Sequence, residues 1–148
     1  MVRAHQSAIE KSVKLLCGVR LIINCSEQIE QSEQLMEEDR IEVIIYAKNR
    51  AGYESLSQLL SRLNMALAHI PAVKRATNLY IHVSELARLS SDVFVIIEAP
   101  ELIKNYMAVQ CQQIQKFVVA PLLLGSAIYR DGNDKKRLKY VSLSLIHI

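Results

Sequence analysis

A chain of 148 residues can close one hydrophobic core and is too short for a multidomain enzyme. Its 51% hydrophobic and 22% charged residues exclude disorder as the general state. The net charge of +3, from basic residues scattered along the chain, permits contact with nucleic acid without arguing for it. Three cysteines, Cys17, Cys25 and Cys111, show no C-x-x-C spacing, so neither a disulfide framework nor a zinc knuckle is expected and a reducing cytoplasm is the simpler setting. Arg3, His5, Glu10 and Lys11 interrupt any secretory leader. The longest apolar run, Phe117–Ile128, contains Pro121 and Gly125 and falls short of the roughly 20 residues that span a bilayer. A soluble protein is expected.

In chain order, Val2, His5, Ile9 and Val13 stand at helical spacing and predict an opening helix, with His5 packed on its apolar face. Val13–Cys17, Gly18 and Val19–Ile23 read as one strand interrupted at the glycine or as two short ones. Cys25–Arg40 is rich in Glu and predicts a surface excursion. Val43–Ala47 is apolar and β-branched, a buried strand. Asn49 is placed to cap a helix whose apolar stripe is Tyr53, Leu56, Leu59, Leu60 and Leu63, with Gly52 allowing close helix–strand approach. Pro71 stops that helix ahead of a basic linker, Ala72–Asn78. Leu79–Val83 predicts a short extended piece with His82 solvated, and Ser84 a cap for Glu85–Leu89. Val93–Ile97 predicts a strand, Glu101–Gln115 a second amphipathic helix and Phe117–Leu124 a third buried strand, extended by Gly125–Ile128. Asp131–Asp134 is a turn, with Asp134 capping a last helix from Lys135. Lys135, Lys136, Arg137 and Lys139 form the densest basic cluster, read first as a solvated helix face and second as a phosphate contact. Alternating strands and helices predict an α/β domain with a largely parallel sheet. The chain opens inside helical periodicity and closes in an apolar run, as a fragment would.

The stretch Tyr46-Ala47-Lys48-Asn49-Arg50-Ala51-Gly52-Tyr53-Glu54-Ser55-Leu56-Ser57-Gln58-Leu59-Leu60 resembles a segment of the polymerase-and-histidinol-phosphatase (PHP) domain that opens bacterial C-family DNA polymerases. Met1–Ala8 with Val13-Lys14-Leu15-Leu16 resembles the preceding helix and strand, particularly of the error-prone branch. Asn78–Tyr80 through Glu85-Leu86, Asp92–Ile97, and Val118–Tyr129 with Asp134–Leu138 follow the family's order of elements. The likeness covers most of residues 1–143, a partial PHP domain, and leaves 144–148 as a truncated or non-native tail.

The resemblance implies a partial, distorted (β/α) barrel with mostly parallel strands, cut from a cytoplasmic error-prone DNA-directed DNA polymerase that acts in damage-induced translesion synthesis. It implies DNA and deoxynucleoside triphosphates as partners, and Mg2+ as cofactor, through polymerase domains outside this chain, with replication or mutagenesis proteins as further contacts and no membrane. The fragment itself is then a structural module, without catalytic, cofactor-binding or metal residues of its own. The family's metal site opens with a His-x-His motif, which His5, His69, His82 and His147 do not form. A further family ligand is a glutamate two residues after a glycine: if Gly18 is that glycine the position is Arg20, which cannot bind a cation, and if Cys25-Ser26-Glu27 is the turn the ligand is Glu27. Two alternatives stay open, a stand-alone PHP-type metal-dependent phosphoesterase and a small α/β interaction domain. Missing barrel strands predict unpaired sheet edges and low cooperativity in thermal unfolding.

Overall fold

The computed structural model describes residues 2–26, 39–67, 80–99, 107–128 and 130–145. The elements are α1 (Val2–Glu10), β1 (Gly18–Asn24), β2 (Arg40–Ala47), α2 (Arg50–Leu67), β3 (Tyr80–His82), a 3₁₀ helix (Val83–Arg88), β4 (Val93–Glu98), α3 (Met107–Phe117), β5 (Leu122–Gly125) and α4 (Asp134–Leu145). Five strands form one sheet in the order β3-β1-β2-β4-β5. β1 is parallel to β3 and β4 is parallel to β5, while β2 runs antiparallel to both β1 and β4. The chain is therefore α/β, but the sheet is mixed and open rather than largely parallel and curled into a barrel. The reversal has a reason in sequence. A parallel return would need a crossover helix with an apolar stripe, and the Glu- and Gln-rich residues between β1 and β2 offer only Ile29, Leu35 and Met36.

Alternation along each strand sorts the side chains onto two faces. On one face Leu21 and Ile23 of β1, Ile41, Val43 and Ile45 of β2, Ile81 of β3, and Val93, Val95 and Ile97 of β4 are all buried. Leu56 and Leu59 of α2, Leu86 of the 3₁₀ helix, Met107 and Ile114 of α3, and Val141 of α4 join them in one contiguous cluster. Burying a side chain such as Leu59 contributes about 2 kcal/mol, so this face supplies most of the fold's cohesion.

Several expectations are corrected. Val13–Cys17 is not strand: β1 begins at Gly18, opposite Tyr46, and the only ladder-like bond before it is Ala47 N–H to Cys17 O at 2.9 Å among the described residues. α1 forms, but its stripe is not packed; His5 is exposed and Ile9 is 66% exposed. It ends in a Schellman motif, with Val13 N–H on Ala8 O at 2.9 Å, Ser12 N–H on Ile9 O at 3.1 Å, and Ser12 at φ 53°. Tyr53, expected on the apolar stripe, is 42% exposed. Phe117 ends α3 rather than opening a strand, and β5 starts only at Leu122, because Pro121 has no N–H for the ladder; its carbonyl accepts from Val95 instead. The second helix is seen as Met107–Phe117, and residues 101–106, Pro71, the linker Ala72–Asn78 and the acidic residues 27–38 lie outside the described residues. No described helix is long and apolar enough to cross a membrane.

Candidate functional site: the open face of the sheet

On the second face of the sheet Phe94 and Leu123 are exposed, and the register lays its side chains out in rows. Gly18, Tyr46 and Phe94 form one row, and Arg20, Ile44, Ile96 and Leu123 the next. Ile22 then pairs with Glu42 and Glu98 with Gly125, and Asn24 stands between Arg40 and His82. β1, β3, β4 and β5 all point the same way, so the polar groups gather toward the carboxyl ends of these strands. In open α/β sheets that edge is where ligands bind.

Arg20 organises this edge. Its Nε lies 3.2 Å from Glu42 Oε2, and its terminal guanidinium nitrogen donates to Glu98 Oε2. Glu42 is the diagonal neighbour of Arg20 on the adjacent strand, and Glu98 is reached across β2. One guanidinium therefore bridges two carboxylates that would otherwise repel, doing internally what a bound cation would do. Among the described residues no group of three or more His, Cys, Asp or Glu could hold a metal ion. Glu27, the alternative ligand position, lies outside the described residues, as do His69 and His147.

His82 is half-buried and bonded rather than solvated as expected. Its Nε2 lies 3.2 Å from the Ser26 carbonyl, which only accepts, so Nε2 carries the proton. Nδ1 then accepts from Ser84 Oγ at 2.7 Å and from Ser84 N–H at 3.3 Å. His82, not Ser84, is the cap of the 3₁₀ helix. Asn24 Oδ1 accepts from Ser26 N–H at 2.8 Å, and the His82–Ser26 bond ties this end of β1 to β3. These bonds account for the imidazole as a structural knot.

The Lys48–Tyr53 run forms a joint between β2, α2 and the turn before β4. Asn49 Oδ1 accepts from Gly52 N–H at 3.0 Å, the N-cap bond the sequence predicts, and Asn49 Nδ2 donates to Asp92 Oδ1 at 2.8 Å. A Cβ on Gly52 would stand 2.0 Å from the Asp92 carbonyl oxygen, so the close approach expected of this glycine is met by backbone. Lys48 N–H bonds that same oxygen at 2.9 Å, and Lys48 Nζ donates to Ser91 O at 2.8 Å while sitting 4.7 Å over the Phe94 ring. Lys48, Asn49 and Gly52 are thus all engaged in holding the joint together.

Two thiols lie in the core. Burial, with smaller contributions from Asp39 and Cys111, pushes Cys25 up from 9.0 to about 12, and burial pushes Cys111 up to about 11. Neither is a nucleophile at neutral pH. A groove of about 300 Å³ between α3 and β5, lined by Cys111, Gln115, Val118 and Leu122 among others, therefore has an inert thiol as its reactive group. Glu42 and Glu98, which sequence reading did not single out, matter most at the open face. Their signal was a charge inside or closing a β-rich run, and only the register shows that Arg20 meets both. No known protein family, curated protein or solved structure matches this chain.

Proposed function

We propose that this chain is a partial PHP module of a bacterial C-family DNA polymerase of the error-prone branch, acting as a structural and partner-contacting unit in the cytoplasm without chemistry of its own. The observation that carries the reading is the Arg20 bridge. If Gly18 is the family's glycine, Arg20 stands at its metal-binding glutamate position, and this cation joined to Glu42 and Glu98 fits a degenerate metal site. The Ala47–Tyr53 run supports it, since its residues form a strand–helix joint that a barrel wall requires. The open face is then the surface turned inward once further strands continue the sheet, and the reversed β2 is a departure from a regular parallel wall. The primer–template, deoxynucleoside triphosphates and Mg2+ of the polymerase reaction itself belong to domains elsewhere in the parent protein.

The test is the coding sequence on either side of these 148 codons. The reading expects an upstream segment with a His-x-His-like motif and a downstream palm with paired aspartates. A native start codon at Met1 with a stop after Ile148 would overturn it.

A further inference from the structure

We propose that residues 130–139, the turn and first turns of α4, are a docking surface for the phosphate backbone of a nucleic acid. Of the 18 basic and 15 acidic residues of the chain, five basic and two acidic fall within these ten positions, leaving thirteen of each sign elsewhere. The whole net charge of +3 therefore resides here, and the rest of the chain is balanced. Lys135, Lys136 and Lys139 are exposed, and no ion pair joins any of them to a described residue. Arg137 adds a fourth charge to the same stretch of helix.

The two acidic residues of the segment work on the backbone: Asp134 Oδ2 accepts from Arg130 N–H at 2.8 Å and Asp131 Oδ1 from Asn133 N–H at 2.9 Å, shaping the turn that presents the lysines. Lys135–Lys139 and Lys136–Lys139 are spaced i,i+4 and i,i+3, an arrangement that costs stability in a free helix and is relieved by a polyanion. Val141 of the same helix is buried in the core cluster, on the far side of the segment from its turn. Among the described apolar side chains of this helix Val141 is buried and Leu138 alone is exposed, a narrow apolar surface for a lipid; five cations within ten residues match a regularly charged polymer better. The proposal uses no residue of the Arg20 bridge, and its failure would leave the polymerase-module reading intact.

Fluorescence anisotropy of labelled single-stranded and duplex oligonucleotides titrated with the full chain tests the proposal. Binding should fall with a log–log salt slope of about −3, a loss of roughly 60-fold between about 50 and 200 mM salt. Lys135→Glu/Lys136→Glu/Lys139→Glu should weaken it by at least about tenfold, with the neutral Lys→Gln triple as the second variant should the first lose its circular dichroism spectrum. Lys11→Glu/Lys14→Glu/Lys116→Glu, which removes the same charge at exposed positions elsewhere, should leave affinity within about twofold. Equal losses in the two triples, or binding to phosphatidylserine vesicles without binding to oligonucleotides, would overturn it.

Discussion

Gly52 and Asn49 show how single residues fix the joint between strand and helix. Replacing Gly52 with Ala puts a methyl where the Asp92 carbonyl already stands, so α2 or the β4 turn must shift; the expected loss is about 2–4 kcal/mol, read by urea denaturation. Asn49→Ala removes both the cap and the bond to Asp92 and should cost about 1–2 kcal/mol, whereas an unchanged midpoint would mean the cap is dispensable. The thiols give a pH dependence with a definite sign. Cys25 and Cys111 ionise near 9.0 when unfolded but only at about 12 and about 11 when folded, so above pH 9 the unfolded chain binds fewer protons. Their contribution is complete below pH 9 and is lost as pH rises toward about 11–12. Denaturation across this range should show that decline, and Cys25→Ala/Cys111→Ala should flatten it. At neutral pH a thiol reagent should modify half-exposed Cys17 first and the other two only on unfolding.

Among the elements, α2 and the strands β2 and β4 were legible because their signals are local: β-branched runs, a cap and a period of 3.6. What was not legible depends on partners distant in sequence. Val13–Leu16 is as apolar as a strand but finds no neighbour to pair with, and Phe117–Val119 reads as strand until Pro121 removes the ladder donor. The amphipathic pattern of α1 predicts a packed helix, and its register alone cannot say that no described element packs closely on it. α1 should therefore exchange its amides faster than α2 or α3, and Ser12→Gly, which relieves a left-handed residue at the Schellman turn, should slow that exchange by the equivalent of up to about 1 kcal/mol without moving the global midpoint. The candidate site was half legible. Arg20 stood out from the resemblance, but its carboxylate partners follow from a mixed strand order that alternating strand and helix signals did not reveal.

For the molecule as a whole, the two faces of the sheet set its behaviour. One is sealed by a continuous apolar cluster that draws on every strand, which favours a single cooperative transition for the core over the gradual melting that exposed edges alone suggest. The other holds Ile44, Ile96, Phe94 and Leu123 around the Arg20 bridge, with Phe94 and Leu123 exposed. In the proposed reading this is the inner surface of a larger barrel, and the missing catalytic groups lie in the remainder of a longer polypeptide. The size of the native polypeptide tests that claim most directly. An antibody raised against these 148 residues, used on extracts of the source cells with and without DNA damage, should detect a damage-induced protein several times larger than 16.8 kDa. A single band at 16.8 kDa, unchanged by damage, would contradict it.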